Sequence, residues 1–191
     1  MVLKMEAYFI HIANYIEGIR RNDSKVVLPQ SFASKMLQEL KSWELWRAVL
    51  AELIATFLFV FIATMSAVEM VPVVDDSSKI VKIAFTFGLM IAVCIQMFGH
   101  VSGGHMNPAV SIAMAVAMEI TPSRALLYTI AQCAGGILGS LLLKGVTPPR
   151  LHGNLGVTSL NNEISEGQGL VCEIVYTFIL VMSIFGTTDP N

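Results

Sequence analysis

The chain has 191 residues, 54% of them hydrophobic and only 14% charged, with a formal net charge of −2. A soluble domain carries roughly a quarter charged residues, so an aqueous globule is excluded and lipid is the expected solvent. The lack of a basic excess argues against a nucleic-acid partner.

Residues 1–45 are mixed and polar and read as a cytoplasmic tail without a secretory leader. Near its end, SFASKMLQELKSWELW sets Phe32, Met36, Leu37, Leu40 and Trp43 on one helical stripe, an amphipathic helix leading into the membrane. Four apolar spans follow, at 46–68, 80–98, 125–143 and 170–186. Each approaches the ~20 residues needed to cross a ~30 Å hydrocarbon layer. Polar loops occupy 69–79 and 147–167. Cys94, Cys133 and Cys172 sit within apolar runs, without disulfide or zinc spacing, and are expected to be buried thiols. Lys4, Arg20, Arg21, Lys25, Lys35, Lys41 and Arg47, seven of the twelve Lys and Arg, precede or open the first span. The positive-inside rule then places the N-terminus in the cytoplasm. Four crossings return the C-terminus there and leave 147–167 outside.

Between the second and third spans lies HVSGGHMNPAVSIAMAV, residues 100–116. Pro108 fits the first position of a helix, and Asn107 fits its cap. The helix predicted from there, PAVSIAMAVAM, is about eleven residues or roughly 16 Å long, half a bilayer. A chain entering to mid-membrane as a loop must have its backbone polar groups met by protein or water. Gly103 and Gly104 permit tight turns there. Such a loop can line a wet passage, while the helix N-terminus and the Asn107 amide donate to water and disfavour cations.

AELIATFLFV (51–60) and CEIVYTFILV (172–181) share Glu-x-x-x-Thr-Phe, aligning Glu52 with Glu173, Thr56 with Thr177 and Phe57 with Phe178. Inverted repeats with a site at their interface are common in membrane transport proteins. The predicted organisation is therefore a tail (1–45), a first repeat with a re-entrant loop (46–146), an extracellular loop (147–167) and the opening of a second repeat (168–191). In fold class this is an all-α membrane protein with four transmembrane helices and one re-entrant half-helix, an incomplete inverted repeat. Gly135 and Gly139, four apart in the third span, predict close helix packing, and Gln132 predicts a helix–helix hydrogen bond.

SGGHMNPAVS resembles the first signature of the aquaporin, or major intrinsic protein, family. WRAVLAELIATFLFVF, VKIAFTFGLMIAV, RALLYTIAQCAGG, GQGLVCEI and TTDP resemble its spans in order, over about residues 43–190. The resemblance implies a helical bundle with paired Asn-Pro-Ala motifs, one pore per subunit and a homotetramer in the plasma membrane. It identifies Asn107, Pro108 and Ala109 with the first motif, Phe87 with the second-span filter aromatic of water-selective members, and His105 with a pore-lining loop histidine. It gives Glu52 and Glu173 as acids that brace the two re-entrant loops through backbone N–H groups. The second Asn-Pro-Ala, its following arginine and the fifth-span histidine have no counterpart in these 191 residues.

The implied function is a passive water channel subunit, with water as permeant and no cofactor, metal or catalytic residue, not complete as a selective pore in these residues. An alternative is a non-conducting subunit associating with full-length homologues. A proton-coupled transporter using Glu52 and Glu173 is a third reading.

Overall fold

A computed structural model describes residues 32–68 and 76–188, together with Ala13 and Ile16. The described residues form helices and no strand: α1 (Phe32–Leu40), α2 (Trp43–Met65), α3 (Asp76–Ser102), α4 (Pro108–Val116), α5 (Pro122–Val146), a 3₁₀ turn (Pro149–Leu151) and α6 (Glu166–Thr188). Four of them, α2, α3, α5 and α6, are long and apolar enough to cross a membrane.

Several helices start before the apolar runs do, because polar caps set their ends. Ser42 Oγ accepts the Leu45 N–H at 3.1 Å, so α2 opens at Trp43. Thr121 Oγ1 accepts the Arg124 N–H at 3.2 Å, and Pro122 takes the first helical position of α5. Ahead of α6, Ser165 and Gln168 form a reciprocal capping box: Gln168 Oε1 accepts the Ser165 N–H at 2.8 Å, and Ser165 Oγ accepts the Gln168 N–H at 3.3 Å.

α2 is the hub. Its contact with α5 is main chain against main chain, since a Cβ on Gly139 would lie 2.7 Å from the Phe57 carbonyl oxygen and one on Gly135 would run into that of Leu53. On its other side, Ala55 packs with Cys94 of α3 and Met106, flanked by Leu58, Phe59, Met90 and Phe98. α4 lies against α5, while α6 touches chiefly α4 and buries none of its residues. Phe85, Leu89, Ile130, Ile137, Tyr176 and Phe178 are exposed, as a lipid-facing surface requires.

Cys94 is buried as expected, but Cys133 and Cys172 are exposed. An apolar run marks contact with lipid as well as with protein, so the run does not fix which way a thiol faces.

At one end of the bundle α1 is tied to the turn before α5. Glu39 Oε1 accepts from Arg124 Nε at 2.7 Å, and Glu39 Oε2 accepts from the Thr121 hydroxyl. A cavity of about 540 Å³ opens beside this clamp, bordered by Ala115, Met118, Glu119 and Pro122. The apolar stripe of α1 is only partly covered: Met36 and Leu40 are half-buried, while Leu37 is exposed, as is Trp43 just beyond it.

Candidate functional site

α3 ends at Ser102, where the Gly103 N–H closes the last turn on the Gly99 carbonyl at 2.8 Å. The chain then turns through three left-handed residues, Gly103 (φ +91°), Gly104 (φ +65°) and Met106 (φ +48°). Glycine takes the first two at little steric cost; Met106 is held there by its surroundings.

Those surroundings centre on Glu52, fully buried in α2. Its Oε1 accepts from the His105 N–H at 3.0 Å and the Ser102 hydroxyl at 2.6 Å. Its Oε2 accepts from the Met106 N–H at 2.7 Å and Gln132 Nε2 at 2.8 Å. Four donors from three elements thus meet one carboxylate, which is what a buried charge requires. Around this centre, Gln132 Nε2 also reaches Ser111 Oγ (2.9 Å), and Ser111 Oγ meets His105 Nδ1 (3.0 Å). The Tyr128 hydroxyl donates to the Ser102 carbonyl at 2.8 Å. Its ring meets the His105 ring edge-on, with centroids 5.3 Å apart.

α4 begins as the sequence predicts. Asn107 is its cap, with Oδ1 accepting the Ala109 N–H at 2.9 Å, and Pro108 is its first residue. It ends at Val116, two residues before the predicted end. Met118 is left-handed (φ +60°), and the Glu119 N–H turns back to the Met114 carbonyl at 2.9 Å, closing the helix in the manner of a Schellman motif.

The main chain of the loop is divided by polarity. The N–H groups of Gly103, Gly104, His105 and Met106 are all taken, by Gly99, Ser102 Oγ and Glu52. The carbonyls of the same four residues receive no donor among the described residues. Asn107 Nδ2 likewise finds no acceptor there, since only the side-chain oxygen is used by the cap. Inside a bilayer, such groups must be met by water or by further protein.

The structure therefore brings together Glu52, Gly103, Gly104, His105, Asn107, Pro108 and Ala109. Phe87 lies elsewhere, about 22 Å of helix rise before the end of α3, packed edge-on against Phe59 at 5.8 Å. Glu173 also lies elsewhere: it is exposed on α6 and meets no hydrogen-bond donor among the described residues. Sequence reasoning passed over Ser102, Ser111, Tyr128 and Glu39. A signal existed for part of the set, since Arg124, Tyr128 and Gln132 recur every four residues along one face of α5.

Over residues 39–191 the chain matches the family described as Major intrinsic protein. It is 42% identical to aquaporin-4 of Mus musculus over 152 residues, 76% of this chain and 46% of that protein. It is 42% identical to aquaporin-1 of Homo sapiens over 158 residues, 81% of this chain and 59% of that protein. It is also 42% identical to aquaporin-2 of Bos taurus over 153 residues, 80% and 55% respectively. The chain spans about half the length of these curated relatives. With a half-helix between two long spans and a family match over most of its length, the chain belongs to the major intrinsic protein family, that of the aquaporins.

Proposed function

We propose that the chain is a subunit of a passive transmembrane water channel and supplies one of the walls past which water moves. The observation that carries this reading is the division of the 103–106 backbone, with N–H groups tied to protein and carbonyls left unmet. A row of acceptors followed by the Asn107 amide, at the positive end of α4, suits water in single file and opposes cations. In this reading Asn107, Pro108 and Ala109 form the motif at mid-membrane, and Gly103, Gly104 and His105 line the approach. Glu52 braces the loop, and Phe87 narrows the passage further along α3. The termini lie in the cytoplasm, the membrane is the plasma membrane, and subunits assemble as a tetramer.

The test is osmotic shrinkage of liposomes containing the 191-residue chain, with a full-length homologue as working control. Water flux above that of protein-free vesicles is the expected result, without the selectivity that a second Asn-Pro-Ala and its arginine would add. Flux equal to protein-free vesicles while the control conducts rejects conduction by this chain.

A second reading is a non-conducting subunit that joins full-length homologues. What favours it is α6, which buries nothing and carries Glu173 exposed within a span, a costly place for an unmet carboxylate. Co-purification with a tagged full-length homologue supports it, and a strictly monomeric chain rejects it.

A further inference from the structure

Ser111 is fully buried on α4 between Gln132 Nε2 at 2.9 Å and His105 Nδ1 at 3.0 Å. Counting hydrogens decides which group donates to which. The Gln132 amide could sit either way round. With its oxygen towards Glu52, two acceptors would face each other at 2.8 Å. With its nitrogen there, one N–H serves Glu52 Oε2 and the other serves Ser111 Oγ. The nitrogen therefore faces both, and neither amide hydrogen is left over.

Ser111 Oγ thus accepts from Gln132 and keeps a single hydrogen to donate. Among the described residues, the acceptor within its reach is His105 Nδ1. A hydrogen on Nδ1 as well would set two donors against each other at 3.0 Å, in a place sealed from water. We infer that Glu52, acting through Gln132 and Ser111, fixes the His105 ring as its neutral Nε2–H tautomer, so that the loop carries a permanent donor beside Gly103.

Two further observations place that donor. His105 Nε2 lies 3.3 Å from where a Cβ on Gly103 would stand, and Gly103 is exposed. No acceptor among the described residues takes Nε2. The edge-on Tyr128 ring at 5.3 Å limits rotation of the imidazole out of this position. A donor fixed among four carbonyl acceptors gives passing water an oxygen-side contact as well as hydrogen-side ones. Ser111 and Gln132 are positioning residues here, and Gly103 keeps the Nε2 edge uncovered. The inference rests on the reading that water meets this loop.

The test is solid-state NMR of the full chain in lipid bilayers, with ¹⁵N-labelled histidine and His105→Asn to assign the signal. The expected spectrum has a single form at neutral pH, with Nδ1 as a bare ring nitrogen and Nε2 as an N–H nitrogen. A hydrogen on Nδ1, alone or together with one on Nε2, overturns the inference. Ser111→Ala removes the donor to Nδ1, and a mixture of both tautomers is expected. A parent-like pattern in Ser111→Ala, with the backbone spectrum intact, also overturns it. The parent spectrum decides the matter if that variant does not fold. Because no flux is measured, a fixed Nε2–H in vesicles that do not conduct water rejects the channel and leaves the tautomer standing. Mixed tautomers in conducting vesicles do the reverse.

Discussion

Glu52 in the middle of α2 accepts the main-chain N–H of Met106 at 2.7 Å, across 54 positions of sequence. One oxygen therefore holds the left-handed residue just before the cap of α4. Glu52→Gln keeps the shape of the side chain but replaces one acceptor oxygen by a donor. Two of its four donors then lose their acceptor, at about 1–3 kcal/mol each. We expect a loss of about 2–6 kcal/mol, read from unfolding by denaturing detergent in mixed micelles. Glu173→Gln, at an exposed site within a span where no donor loses an acceptor, is not expected to lower the same transition.

The α2–α5 joint leaves no room for a methyl group. Gly139→Ala would set its Cβ 2.7 Å from the Phe57 carbonyl oxygen, which cannot give way without moving α2. Destabilisation of about 1–3 kcal/mol is expected. Gly136→Ala is the matched control, with Val60 Cγ2 as its nearest contact at 3.8 Å. It should be neutral or gain up to about 1 kcal/mol from helix propensity. Equal losses in the two variants would count against the packing described.

Asn107 combines a cap oxygen with a free amide, and two substitutions separate these roles. Asn107→Ala removes both and should cost about 1 kcal/mol of stability. Asn107→Asp caps equally well and should fold within about 0.5 kcal/mol of the parent. It replaces the amide donor with negative charge, so proton or cation leak should rise in liposome flux measurements while the fold is kept.

The Glu39–Arg124 pair is partly shielded, with the two side chains 16% and 25% exposed. Glu39→Gln, Arg124→Gln and the double variant form a cycle whose coupling should be about 1 kcal/mol. Hydrogen exchange should show α1 amides losing protection in each single variant. If α1 exchange is unchanged, the clamp does not hold that helix.

Much of the fold was legible because length and apolarity are local properties. The four spans, the capped half-helix at Asn107-Pro108 and the close approach at Gly135 and Gly139 follow from spacing alone. What could not be read was which side of a span faces protein. Lipid is as apolar as a packed interior, so Cys133 and Cys172 gave no hint of their exposure. The brace was half legible. A lone acid in a span asks for partners, but the partners of Glu52 lie 50 to 80 positions away. Repetition of the motif around Glu173 suggested the same environment, yet the described residues hold one Asn-Pro loop, and Glu52 already has it. Local sequence specifies a need for donors; only the tertiary arrangement says whether it is met.

α6 is a 23-residue helix that no neighbour among the described residues encloses. Its hydrogen bonds are internal, so the bilayer alone suffices to keep it coiled. Among the described residues nothing comparable to the glycine seam anchors it, which makes it the first part of the bundle to drift away as lipid is stripped by detergent. A preparation that retains α2 and α5 as a pair can therefore have lost the native seat of α6 without any sign in its helix content.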